Sequence, residues 1–130
     1  MRMDPSRFRR YAPAVAFAAL LLVTSLVPVP ESGAEAVPTL FGVALDKWVH
    51  AASYGSLTLL LVRGRRARTI AAAALLATIV VGYGAGIEFL QGFVPSRDTS
   101  GADFVANTVG AGLAGVAWVA ARRLGALPDT

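Results

Sequence analysis

The chain has 130 residues, the usual size of one domain (residues 1–130), and 55% of them are hydrophobic while only 15% are charged. Soluble domains carry about 25% charged residues, so this composition indicates a membrane protein rather than a soluble one. The chain has no cysteine, which excludes disulfides and thiol catalysis, and its basic residues fall between apolar segments instead of forming a nucleic-acid surface.

Four apolar segments are long enough to cross a membrane, which takes about 20 mostly apolar residues in a helix. They are residues 11–30, 46–62, 69–94 and 102–121. None alternates between apolar and polar residues as a half-buried strand does. Glycines in the third and fourth segments are expected to let neighbouring helices pack closely. We therefore expect an all-α, polytopic membrane protein: a bundle of four transmembrane helices.

The first segment, Tyr11 to Pro30, also permits a second interpretation. Arginines precede it and the small-residue sequence AEA follows it at Ala34–Ala36, as in a cleavable signal peptide. Its apolar run is longer than the usual signal-peptide core of about 7–15 residues, which favours a retained helix. Cleavage is left open, and it would not change the orientation of the other three segments.

Arginines set the expected orientation of the segments, because basic residues accumulate on the cytoplasmic side of membrane proteins. Ten of the eleven lie before the first segment, in the second connection or after the fourth segment: Arg2, Arg7, Arg9, Arg10, Arg63, Arg65, Arg66, Arg68, Arg122 and Arg123. The first and third connections hold only Lys47 and Arg97 as basic residues. We expect a multi-pass protein of the cell membrane with both termini in the cytoplasm.

Two features indicate contact with the membrane interface. The first connection turns apolar from Val37 to Leu45, and this stretch is expected to lie along the outer interface or to dip into it. Trp48 and Trp118 lie near segment ends, where interfacial aromatic residues belong.

Polar residues are concentrated at the outer ends of the last three segments. They are Asp46, Lys47, His50, Tyr54, Glu88, Gln91, Arg97, Asp103 and Asn107. Many are three or four residues apart and therefore share a helix face. Because a charge inside a membrane helix costs about 2.5–3.5 kcal/mol on insertion scales, these groups need partners. We expect them to converge in one outward-opening pocket, with Glu88 as a central member. Lys47 or Arg97 is expected to pair with Glu88, Asp98 or Asp103.

At these residues the chain resembles the VanZ-like membrane proteins. The stretch DKWVHAASYGSL is similar to their Asp-Lys-x-x-His-x-x-x-Tyr signature. The stretch EFLQGFVPSRDTSGADFVANTVGAGLAG is similar to their Glu-x-x-Gln-x-x-x-Pro-x-Arg and Asp-x-x-x-Asn-x-x-Gly signatures. The resemblance covers about Leu40 to Ala121 and every polar signature position. Because the founding member is associated with glycopeptide resistance, it implies a role in the cell envelope but no particular reaction.

Three functions of the polar cluster remain open. A binding site would recognise an anionic envelope lipid, such as a polyprenyl-phosphate carrier, through Lys47, Arg97 and His50. A membrane enzyme acting on such a lipid would use His50 or Glu88 as general acid or base, although no nucleophile motif is evident. A structural or accessory subunit would use the cluster only to hold its helices together.

Cofactors and partners are constrained less closely. One histidine among scattered acids is a weak metal signal, so we expect neither a metal nor a cofactor. Membrane lipids are the expected partners, and nucleic acid is not. A transport pathway through four short helices would need a dimer, which leaves a homo-oligomer open.

Overall fold

The computed structural model of the protein describes residues 4–30 and 36–128. Within these ranges the chain is mostly helical, with four α-helices and one short β-hairpin, which confirms the predicted helical class. The helices are α1 (Pro5–Leu26), α2 (Leu45–Arg65), α3 (Ile70–Gln91) and α4 (Gly101–Arg123), and the strands are β1 (Thr39–Leu40) and β2 (Val43–Ala44). Ala34 and Glu35 of the AEA sequence lie outside the described residues.

The first helix begins six residues before the predicted start at Tyr11, at Pro5. Asp4 caps it by accepting a hydrogen bond from the backbone N–H of Ser6 at 2.9 Å. This bond holds the pKa of Asp4 below its usual value. Pro5 occupies the first helical position, where a missing backbone N–H leaves no hydrogen bond unmade.

Two helices end earlier than their apolar segments do. The first apolar segment continues to Pro30, but α1 ends at Leu26 and Val27 is already extended. The cause is Pro28, because a proline disfavours the helical conformation of the residue before it. Likewise α3 ends at Gln91, where the sequence alone predicted a helix to residue 94.

Successive helices run in opposite directions along the bundle. Lys47 near the start of α2 meets Asp103 near the start of α4. At the same end, Gln91 at the end of α3 meets Ser25 near the end of α1. We call this end the polar end. The opposite end, where the arginine-rich parts of the helices and the second connection lie, is the basic end.

The tightest packing joins α2 to α4, the pair with the most extensive contact. A Cβ atom added at Gly110 of α4 would overlap the backbone of Ala51 in α2. Glycine at this position lets the two backbones touch, as small residues do in membrane helix pairs. The core beside this crossing contains Ala14, Tyr54, Leu57, Val80 and Ala111.

Of the helices in the described part of the chain, three are long and apolar enough to cross a membrane: α1, α3 and α4. A helix of 22 residues is about 33 Å long, which matches the hydrocarbon thickness of a bilayer. Large apolar side chains lie exposed along them, such as Leu75 at 62% and Leu113 at 66%. α2 has a similar length, but its hydropathy is lower because Asp46 and Lys47 begin it and Arg63 and Arg65 end it.

The apolar stretch from Val37 to Leu45 folds into the hairpin at the polar end. β1 and β2 are joined by Phe41 and Gly42, both with positive φ, as the tight turn of a twisted two-residue hairpin requires. Phe41 is 87% exposed. Trp48 donates from its indole N–H to the Leu40 carbonyl at 3.1 Å and fixes the hairpin against α2.

Candidate functional site

An ion-pair cluster joins α2 and α4 at the polar end. Lys47 Nζ donates to Asp46 Oδ2 and to Asp103 Oδ1, both at 2.5 Å. Asp46 is half exposed, whereas the Asp103 side chain is only 11% exposed. The Lys47–Asp103 pair is thus the inner one, and the Asp46 carboxylate lies at the solvent side.

A chain of hydrogen bonds continues from this cluster to α3. His50 Nδ1 lies 3.0 Å from Asn107 Oδ1, and Asn107 Nδ2 donates to Glu88 Oε1 at 3.1 Å. The amide of Asn107 is thus oriented with its nitrogen toward Glu88 and its oxygen toward His50. Its oxygen then accepts from His50, which places a proton on Nδ1.

The second nitrogen of His50, Nε2, forms no hydrogen bond with the described residues. His50 Nε2 lies 3.7 Å from Asp103 Oδ1, which is too long for a hydrogen bond. With Nδ1 protonated, Nε2 carries a lone pair in the neutral ring and an N–H in the charged ring. The His50 side chain is 29% exposed.

Two features of the helices position these side chains: their spacing along each helix and the close packing of α3 against α2. Asp103 and Asn107 are one turn apart on α4, and His50 and Tyr54 are one turn apart on α2. The His50 and Tyr54 rings are parallel, with centroids 6.4 Å apart. A Cβ atom at Gly84 of α3 would lie 2.6 Å from the Tyr54 ring, so glycine leaves the space this ring occupies.

We call Asp46, Lys47, His50, Glu88, Asp103 and Asn107 the polar network. It brings together six of the nine predicted site residues, and Tyr54 lies beside it. Its three carboxylates outnumber its single lysine ammonium, that of Lys47. Between residues 4 and 128, leaving out the undescribed 31–35, no cation forms an ion pair with Glu88. Of the carboxylates expected to pair with Lys47 or Arg97, Asp103 pairs with Lys47, whereas Glu88 accepts a hydrogen bond from the Asn107 amide.

Gln91 and Arg97, the other two predicted site residues, bond to α1 instead of the polar network. Gln91 Nε2 donates to the Ser25 carbonyl at 3.0 Å. Arg97 donates to the carbonyls of Val27 and Thr24. The prediction that Arg97 pairs with a carboxylate of the cluster is therefore corrected. The physical reason is that the last turn of a helix leaves carbonyl oxygens without intrahelical partners, and these attract donors and cations.

Sequence patterns did not indicate which groups accept the hydrogen bonds of Gln91 and Arg97. The acceptors are backbone carbonyls, which every residue has, so no residue type marks them. Ser96 was also missed. It has a positive φ of 64°, and its Oγ accepts from the Val29 backbone N–H at 3.1 Å. Tyr83 donates to the Ala18 carbonyl at 2.5 Å and forms a further tie between α3 and α1.

Metal binding finds no support in the described residues, which contain no group of three or more histidine and carboxylate side chains placed to hold an ion. The polar network presents one imidazole, one ammonium and three carboxylates, which can donate and accept hydrogen bonds.

Comparisons with known proteins add no further assignment. No protein-family model, no curated protein and no solved structure shows significant similarity to this chain.

Proposed function

We propose that this chain is a VanZ-like, multi-pass protein of the cell membrane whose polar network binds the phosphate-bearing headgroup of an envelope lipid, such as a polyprenyl phosphate. All four helices span the membrane in this proposal, with both termini in the cytoplasm and the polar end outside. Support comes from the basic end, where nine arginines of the described residues lie, because basic residues accumulate on the cytoplasmic side.

The observation that carries the binding proposal is the position of Lys47 and His50. Lys47 Nζ and His50 Nε2 lie 2.5 and 3.7 Å from the same oxygen, Asp103 Oδ1. Both side chains are partly exposed, at 23% and 29%. A phosphate oxygen can replace the half-exposed Asp46 carboxylate at Lys47 and accept a second hydrogen bond from protonated His50, while Asp103 stays paired.

Binding to a defined probe tests this function. Full-length protein in phosphatidylcholine nanodiscs would be titrated with a polyprenyl phosphate and with the uncharged polyprenol. We expect the phosphate to bind more tightly, and Lys47→Gln to weaken it by about tenfold, the value of one charge-assisted hydrogen bond, without affecting the alcohol. Arg68→Gln, which removes a charge at the basic end, is the control. Equal binding of phosphate and alcohol, or an unaffected Lys47→Gln variant, would overturn the proposal.

A second candidate, an enzyme acting on the same lipid, is favoured by one observation. The Glu88–Asn107–His50 chain orients the imidazole and leaves Nε2 as a positioned acid or base, as in hydrogen-bonded catalytic histidines. An enzyme would lose turnover but keep lipid binding in His50→Gln, whereas a binding protein would lose affinity. If Lys47→Gln and His50→Gln both leave lipid binding unchanged but lower the yield of folded protein, the polar network has only a structural role.

A further inference from the structure

The basic end contains a pocket between α1, α2 and α4 that is separate from the polar network. Its volume is about 580 Å³, within the range of about 300–1,000 Å³ of small-molecule sites. Five arginines and one tryptophan are among its lining residues: Arg9, Arg10, Arg63, Arg66, Arg122 and Trp118. Three separate parts of the chain thus deliver positive charge to one cavity.

Local structure fixes the backbone around this pocket. Arg66 ends α2 in the left-handed conformation, with φ of 55°. Gly64 lets α1 approach α2, because a Cβ there would lie 2.9 Å from the Tyr11 ring. Trp118 donates from its indole N–H to the Ala67 carbonyl at 2.9 Å, and the Arg122 guanidinium lies 6.0 Å from the centre of its ring. These contacts fix the backbone of α1, α2 and α4 around the cavity and the position of the Trp118 ring.

Among the described residues, the pocket lining has an excess of positive charge, because it contains five arginines and no carboxylate. In residues 4–30 and 36–128, no carboxylate forms an ion pair with Arg9, Arg10, Arg63 or Arg66. Asp4 interacts electrostatically with Arg10, but it forms no ion pair with it, and its two carboxylate oxygens accept hydrogen bonds from Ser6. Guanidinium groups converging on a cavity match a phosphate, which they bind through paired hydrogen bonds.

We infer that this pocket binds a phosphate-bearing anion, with the headgroup of an acidic membrane phospholipid as its ligand. The inference rests on the membrane topology proposed above, which puts the basic end at the inner leaflet. Pro13 and Leu60 line the same cavity as the arginines. An apolar wall beside the cationic one suits a phosphodiester that continues into glycerol and acyl chains, more than free phosphate.

The test compares two double variants of the same connection. Arg63→Gln/Arg66→Gln removes two charges from the pocket lining. Arg65→Gln/Arg68→Gln removes two charges from residues that do not line it. Full-length protein in detergent would be exposed to equal amounts of phosphatidylglycerol and phosphatidylcholine, and retained lipid would be measured by native mass spectrometry.

We expect wild type to retain phosphatidylglycerol in preference, the pocket variant to lose this preference by about tenfold, and the control variant to change it by no more than about twofold. Equal loss in both variants, or no preference in wild type, would overturn the inference. Competition by excess inorganic phosphate distinguishes a lipid headgroup from free phosphate as the source of the bound anion. Displacement of the lipid would show that phosphate alone fills the site, and resistance would show that the lipid is needed; both support an anion pocket.

A fluorescence measurement keeps the inference testable if the pocket variant does not fold. The chain has two tryptophans, so Trp48→Phe leaves Trp118 in the pocket as the reporter. Phosphatidylglycerol, but not phosphatidylcholine, should change its emission, and identical responses to both lipids would contradict the site. Because neither measurement involves Lys47 or His50, failure here leaves the proposed function of the polar network intact, and the reverse also holds.

Discussion

Arg97 donates two hydrogen bonds to the carbonyl oxygen of Val27, from Nε at 3.0 Å and from Nη2 at 2.7 Å. Nη2 also reaches the Thr24 carbonyl at 2.9 Å. These oxygens lie at the end of α1, where backbone acceptors have no intrahelical partners and a positive charge is favoured. Arg97 therefore fastens the connection between α3 and α4 to α1 and stays outside the polar network.

Replacing Arg97 should reduce stability and leave ligand binding unchanged. Lysine keeps the charge but cannot reproduce the fork of donors, so Arg97→Lys should lower the free energy of unfolding by about 1 kcal/mol and Arg97→Gln by more. Thermal unfolding in detergent measures the loss. If polyprenyl-phosphate binding falls while thermal stability is unchanged, Arg97 contacts the ligand and its assignment to α1 fails.

Asn107 should be the polar side chain whose replacement is most destabilising. It is 1% exposed and links His50 to Glu88. Asn107→Leu leaves both partners without their hydrogen bonds, and we expect a loss of about 1–3 kcal/mol. Thr108→Val, at the adjacent exposed position, is the matched control and should unfold like wild type. Similar unfolding temperatures for both variants would show that the network does not stabilise the bundle.

Two glycines of α4 should respond oppositely to the same substitution. Gly110→Ala forces a Cβ into the backbone of Ala51, and overpacking of this kind costs about 1–3 kcal/mol. Gly112 has nothing within 4 Å of an added Cβ, so Gly112→Ala should be neutral or slightly stabilising, since alanine favours helix. Folded yield and thermal unfolding measure the difference. Equal effects would mean that α2 and α4 do not cross at Gly110.

These glycines illustrate what the sequence could and could not predict. Composition and spacing predicted the helices and the segments that form them. They did not distinguish Gly110 from Gly112, because the rotation of each helix about its axis is set by its neighbours. The boundaries of α1 were predictable in principle from Asp4 and Pro28, whose capping and blocking effects are local.

The polar site was predicted in part for a similar reason. His50, Asp103 and Asn107 share helix faces with their neighbours, so spacing could place them together. Arg97 lies in a connection, where spacing gives no direction, and its long side chain reaches carbonyl oxygens that no sequence pattern marks. Charge pairing favoured a carboxylate as the partner of Arg97, but its acceptors are the backbone carbonyls at the end of α1.

The orientation of the bundle can be measured directly, because the chain has no cysteine of its own. Single cysteines at Arg65, at the basic end, and at Gly92, at the polar end, both occupy exposed positions. An impermeant thiol reagent added to intact cells should label Gly92→Cys and spare Arg65→Cys, with both labelled after lysis. The reverse pattern would contradict the proposed topology.

Glu88→Gln separates binding from acid–base chemistry at the polar network. Glutamine keeps an oxygen that can accept from Asn107 Nδ2, so the free energy of unfolding should change by less than about 1 kcal/mol. The substitution removes one of three negative charges around Lys47 and His50, which weakens the repulsion of an incoming phosphate. Glu88→Gln should therefore bind polyprenyl phosphate at least as tightly as wild type in the nanodisc titration.

Asp98→Asn provides the matched control, because Asp98 is exposed and, among the described residues, has neither an ion pair nor a side-chain hydrogen bond. It should leave both stability and binding unchanged. If Glu88→Gln keeps the lipid but abolishes its conversion, the second candidate function is favoured, since the carboxylate then acts on His50 through Asn107. A binding loss of about tenfold without a loss of stability would mean that the Glu88 charge attracts the ligand, and a phosphate could not be that ligand.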